Sequence, residues 1–163
     1  MNYHLKVRAS ALVIEDSRIL LVEFNDETGL HYNLPGGTIE SGETIIEGLK
    51  REVREETDAD IEVGNLIFVL EYEPQRNSFW AGRIPALSLI FDCKIVENSK
   101  PQMPIMPDVY QTGVKWINIG ELGRIELLPH LAKQIIEYAY TGVNDKIFWE
   151  EPLKPGKAQA YLK

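Results

Sequence analysis

Cysteine is almost absent from this chain, and cationic residues are scarce. One cysteine in 163 residues, Cys93, excludes an intrachain disulfide, and its place in an apolar run suggests a buried thiol. The three histidines, His4, His31 and His130, show no metal-ligand spacing and read as structural or surface residues. Seventeen Lys and Arg face 25 Asp and Glu, and the net charge of −8 argues against a nucleic-acid groove or an anionic membrane surface. No apolar run approaches membrane-spanning length, no N-terminal stretch has signal-peptide character, and no repeat or low-complexity tract occurs. The expectation is a cytoplasmic protein without nucleic-acid or membrane partners. A hydrophobic content of 44% suits a single globular domain with a sizeable core.

The acidity is local. Between Glu40 and Glu62 stand nine acidic and three basic residues. Within that stretch Ile45, Leu49 and Val53 recur at four-residue spacing and predict a helix with one apolar stripe. Ser41 reads as its N-cap, with Glu43 and Glu47 in or near the first turn. Glu52, Glu55 and Glu56 sit at i, i+3 and i+4 and project toward one face, while Glu56 points into the apolar stripe. Like charges so placed oppose the helix, and partial burial makes the opposition worse. A solvated acidic helix end is the ordinary meaning of a charge run, yet it leaves Glu56 unexplained. A hard divalent cation, Mg²⁺ or Mn²⁺, with its preference for oxygen ligands removes the conflict.

The residues from Gly37 to Ala59, G-T-I-E-S-G-E-T-I-I-E-G-L-K-R-E-V-R-E-E-T-D-A, resemble the Nudix box, G-x5-E-x7-R-E-U-x-E-E-x-G-U with U aliphatic. Gly37, Glu43, Arg51, Glu52, Val53, Glu55 and Glu56 fall in register, and Asp58 stands where the family usually has glycine. A left-handed residue is needed there, and Asp tolerates that conformation at a cost of roughly 1 kcal/mol. The resemblance covers roughly residues 6–141, within a Nudix hydrolase domain of residues 1–142. It implies an α/β/α sandwich with a central mixed sheet and a hydrolase dependent on one to three Mg²⁺ ions, with Mn²⁺ a possible substitute. It implies further that Glu52, Glu55, Glu56 and the Gly36 carbonyl are metal ligands. Glu52 is in some members the base, and Arg51 with Glu43 forms the pair that orients the glutamates. A purely structural ion pair is the other meaning of that pair.

The rest of the chain reads as strands at 7–14 and 18–24, a polar loop at 25–29 and a rigid Pro35-Gly36-Gly37 turn. Further strands are expected at 61–72, 86–96 and 114–119, and a closing helix at 130–140 with Leu131, Ile135 and Tyr138 or Ala139 inward. Residues 143–163 lie outside the resemblance, and Ile147, Phe148 and Trp149 are expected to dock on the domain or on a second subunit, as in a possible homodimer. Lys6 and Arg8 are either surface charges or phosphate contacts. The loop after the third long strand offers Arg76, Phe79, Trp80 and Arg83. There one ring would stack on a nucleobase, or the pair would plug against the sheet or a dimer contact. In the irregular loop 100–110, Asp108 is a second candidate base, whereas nearby Gln111 cannot take a proton.

Intact glutamates favour a hydrolase of nucleoside diphosphates linked to another moiety over a Nudix-fold module that only senses a nucleotide. Pro74, fifteen residues beyond Ala59, lies close to where ADP-ribose-cleaving members often carry a proline. It tilts the expected small-molecule substrate toward ADP-ribose or a nucleotide sugar. It tilts it away from nucleoside triphosphates and dinucleoside polyphosphates. An isomerase of the isopentenyl type is disfavoured because the needed cysteine would be Cys93, in a buried strand.

Overall fold

A computed structural model describes residues 4–74 and 84–150. Its elements are strands β1 (Lys6–Glu15), β2 (Arg18–Asp26), β3 (Gly29–Asn33) and β4 (Gly36–Thr38), helix α1 (Ile45–Thr57), then β5 (Ile61–Tyr72) and β6 (Ala86–Ile95). There follow β7 (Gln111–Asn118), a 3₁₀ turn Ile119–Arg124, β8 (Leu127–Leu128), helix α2 (Ala132–Thr141) and β9 (Phe148–Glu150). No helix among the described residues is long and apolar enough to cross a membrane.

The β1–β2 hairpin is paired only at its tip, Ile14 with Ile19 and Glu15 with Arg18. Beyond the tip the two strands part. β1 runs parallel to β6 and antiparallel to β4, while β2 pairs with β3 and β7. Into the opening comes the Pro35-Gly36 turn, where the Pro35 carbonyl accepts from Ala11 N–H at 2.8 Å. β5 and then β9 extend the β1–β6 side, and β8 extends the β3 side.

Period-2 alternation divides the core. Ala9, Ala11 and Val13 of β1 and Leu20 of β2 meet Leu49 and Val53 of α1 in one buried cluster. Leu12, Ile19 and Leu21 point the other way, into a cluster with Phe68, Leu70, Leu122, Leu131 and Ile135. One helix therefore covers each face, which is the expected α/β/α sandwich with a mixed sheet. Small residues on the α1 face of β1 let that helix lie close to the sheet.

Several local readings change. The N-cap of α1 is Thr44, not Ser41: Thr44 Oγ1 accepts from Glu47 N–H at 3.2 Å and Glu47 Oε2 accepts from Thr44 N–H at 2.8 Å. This reciprocal box satisfies two otherwise unpaired donors, whereas Ser41 stands beside Gly42 in a left-handed turn at φ 93°. The polar loop contracts because β2 continues to Asp26 and β3 begins at Gly29, and β7 begins at Gln111 because Gln111 pairs with Phe24. The closing helix starts at Ala132, two residues late, with Leu131 as its N-cap. Asp58 does adopt the left-handed conformation, at φ 54°, and closes α1. After α2, Trp149 packs on the α2-side core and β9 pairs with β5; residues 151–163 lie outside the described part.

The reassigned cap is testable by urea unfolding. Thr44→Ala is expected to cost about 1 kcal/mol, and Ser41→Ala to stay within about 0.5 kcal/mol of the parent. The reverse order of effects would restore Ser41 as the cap.

Candidate active site

The site is built where the hairpin parts. Gly36 lies so close to β1 that a Cβ there would run into the Ala9 carbonyl and Ser10 Cα, and its φ of 147° also favours glycine. Its N–H points across to α1 and donates to Glu56 Oε2 at 2.8 Å. On the neighbouring residue, a Cβ on Gly37 would occupy the place of the Glu52 carboxylate. Gly36 thus lets the turn lie against β1 with its N–H toward Glu56, and Gly37 leaves room for Glu52.

Glu56 is only 6% exposed, as its direction in the apolar stripe requires. Burial pushes its carboxyl up to about 8; the Gly36 N–H opposes this, while the nearby charges of Asp108 and Glu52 add to it. Glu52 is also raised, first by burial, with Arg51 pulling the other way. Glu55 is the exposed member of the three.

Arg51 ties the group together. It takes Glu43 through two bonds, Nε to Oε2 at 3.0 Å and Nη2 to Oε1 at 2.7 Å. Its Nη1 reaches Glu52 at 3.0 Å and Glu55 at 3.1 Å, and Nη2 also donates to the Thr38 carbonyl at 3.2 Å. The fork is therefore spread over three carboxylates. Glu43, held by Arg51 and by the Glu40 N–H, has its carboxyl lowered to about 2. Among the described residues no three acidic, His or Cys side chains stand together as a ready metal cage. The donor chemistry nevertheless suits a hard cation: all oxygens, one of them a buried carboxylate whose charge burial disfavours.

Of the remaining candidates, Arg8 is partly buried on β1 opposite Thr38, and its charge is felt by both Glu52 and Glu56. Lys6 is exposed at the start of β1, where it meets Ala86 of β6. Asp108 is exposed but close enough to Glu56 to act on its protonation. Gln111 is buried and bonds the Glu56 carbonyl through Nε2 at 2.7 Å, a clamp on the last turn of α1 that no feature of the sequence announced. Arg76, Phe79, Trp80 and Arg83 lie outside the described residues. Cys93 is buried in β6 with its thiol pushed up to about 12 by burial, in the α1-side core. His31 stacks on Phe24 at 5.7 Å between centroids, and His130 Nε2 lies 3.2 Å from Glu126.

The sequence profile of the NUDIX domain matches residues 4–139. The chain therefore belongs to the Nudix family, a family of pyrophosphohydrolases. Among solved structures, a Nudix hydrolase from Nitrosomonas europaea superposes with a TM-score of 0.68 at 25% identity, over 85% of this chain and 90% of that one. A MutT Nudix hydrolase from Burkholderia pseudomallei gives 0.66 at 20% identity, over 82% and 97%. An ADP-ribose pyrophosphatase from Streptococcus suis gives 0.62 at 19% identity, over 88% and 98%. No curated protein sequence matches this chain.

Glu56 and Glu43 predict opposite pH effects on stability. Glu56, whose carboxyl rises from 4.5 to about 8 on folding, keeps its proton longer in the folded state. The fold therefore weakens as pH rises through that window. With a chelator present, the melting temperature of Glu56→Gln is expected to exceed the parent's by several degrees at pH 8, and by less at pH 5. Glu43, lowered to about 2, contributes stability that is present above 4.5 and lost below it. Its Gln variant is expected to lose that acid limb. A parent-minus-variant difference independent of pH would contradict the burial of Glu56.

Proposed function

We propose that this chain hydrolyses the pyrophosphate bond of a nucleoside diphosphate linked to another moiety, with Mg²⁺ as cofactor and Mn²⁺ able to replace it. The observation that carries this reading is Glu56, a buried carboxylate aimed at the Gly36 N–H beside Glu52, with no cationic side chain bonded to it among the described residues. Glu52, Glu55, Glu56 and the Gly36 carbonyl would hold the ion. When bound, the ion offsets the charge of the pyrophosphate and lowers the pKa of a water.

The chain's own residues do the rest. Arg51, fixed by Glu43, positions Glu52 and Glu55 through its Nη1. Arg8, close to the glutamates in charge, meets a phosphate oxygen. A carboxylate takes the proton of the attacking water as the P–O–P bond breaks and the second phosphate leaves. Glu52 is that base, or Asp108 from the later loop. ADP-ribose or a nucleotide sugar is preferred over a nucleoside triphosphate or dinucleoside polyphosphate. Pro74, two residues past β5, and the activities for which two fold relatives are named, an ADP-ribose pyrophosphatase and a UDP-X diphosphatase, support that preference.

Glu55→Gln and Glu56→Gln are each expected to lower turnover by at least about a hundredfold while the fold persists. Assays with Mg²⁺ over ADP-ribose, nucleotide sugars, nucleoside triphosphates and dinucleoside polyphosphates test the substrate. Parental rates in both variants would end the metal assignment. A wide kcat/KM advantage for a dinucleoside polyphosphate would end the stated preference. Comparing pH–rate profiles of Glu52→Gln and Asp108→Asn separates the two bases, since only loss of the base removes the acidic limb.

A further inference from the structure

The segment 101–110 reads P-Q-M-P-I-M-P-D-V-Y, and Asp108 is its one charge. Ile105 is fully exposed, Met106 is 87% exposed, Val109 76% and Tyr110 57%. Single exposed apolar residues are ordinary, but several together on one short loop mark a contact surface.

The loop is held in place at both ends. Gln102 N–H donates to the Thr57 carbonyl at 2.8 Å, and Gln102 Nε2 donates to Asp58 Oδ2 at 2.6 Å. At the far end Gln111 N–H donates to the Asp108 carbonyl at 3.0 Å, and Gln111 Nε2 to the Glu56 carbonyl at 2.7 Å. The Tyr110 carbonyl accepts from Asn25 N–H at 3.0 Å. Gln102 and Gln111 thus both fasten the loop to the last turn of α1 and its cap, next to Glu55 and Glu56. The apolar patch borders the carboxylate site, and polarity divides there. Asp108, the loop's one charge, is felt by Glu56, and exposed carbon and sulfur surface flanks it in the chain at Ile105, Met106 and Val109.

We propose that the loop 103–110 is a wall on which the nucleobase of the substrate rests, with Ile105 and Met106 against its flat face. The proposal rests on the reading of the glutamate site as the place of the pyrophosphate. Aliphatic chains and thioether sulfur pack well on an aromatic ring. A sugar would bring hydroxyls that need partners, and between Met103 and Tyr110 the side chains offer only Asp108 and the Tyr110 hydroxyl. A second copy of the chain is a poorer occupant, because four side chains on one loop fall short of the area of a stable interface.

The test is calorimetric, on the full chain with Mg²⁺, using two non-hydrolysable probes: α,β-methylene-ADP and the base-free methylenediphosphonate. In the double variant Ile105→Ser/Met106→Ser, both changes being on exposed side chains, the nucleotide probe is expected to bind about fivefold more weakly. Methylenediphosphonate is expected to bind unchanged. Unchanged affinity for the nucleotide probe, an equal loss for both probes, or no binding of the nucleotide probe by the parent overturns the wall. So does a loss confined to Trp80→Ala, which would put the base elsewhere. A shift of the double variant from dimer to monomer in light scattering, with nucleotide affinity kept, assigns the patch to self-association and overturns it too. Selective loss of the nucleotide probe in a parent that hydrolyses no pyrophosphate substrate supports the wall and sinks the hydrolase reading. Hydrolysis of ADP-ribose with one KM in parent and double variant does the reverse.

Discussion

The burial of Glu56 is the constraint on which the site depends. A carboxylate inside the apolar stripe of α1 loses water and gains one N–H, that of Gly36. One neutral donor offsets part of the desolvation and leaves the proton favoured up to about 8. The fold thereby holds a group that gains from a cation, and the close approach of two glycines is what lets it do so. A side chain at Gly36 would strike β1, and one at Gly37 would displace Glu52.

Arg51 answers the remaining repulsion. One guanidinium bonded to Glu43, Glu52 and Glu55 makes an acidic helix face compatible with a folded helix. The exposed arm to Glu55 contributes little to stability, as surface pairs do. Its consequence is orientation: Glu43, itself bonded to the Glu40 N–H, fixes the fork, and the fork fixes the carboxylates. Stability and positioning are therefore carried by the same five bonds.

The parting of β1 from β2 links this chemistry to the architecture. Had the hairpin stayed paired along its length, the backbone donors of β1 would be taken by β2. Instead Ala11 N–H is free to bond the Pro35 carbonyl, and the Pro-Gly-Gly turn is drawn in against the helix. On the other side of the last turn of α1, Gln102 and Gln111 draw the later loop toward the same carboxylates, which is how Asp108 comes to act on Glu56.

The sequence by itself determined the helix, its apolar stripe, the direction of Glu56 and the left-handed stop at Asp58. All of these follow from spacing within one helix, where geometry is local. It also placed five strands, β1, β2, β5, β6 and β7, through their apolar runs, and the motif placed the glutamates. The cap follows local spacing as well, because Thr44-x-x-Glu47 is a capping box that Ser41 cannot form; what local spacing leaves open belongs to the tertiary structure. It alone decided the split hairpin, the Gly36–Glu56 bond across 20 residues and the Gln111 clamp across 55. Contacts that distant are set by how sheets and helices pack, and side chains such as glutamine carry no periodic signal that reveals their partner.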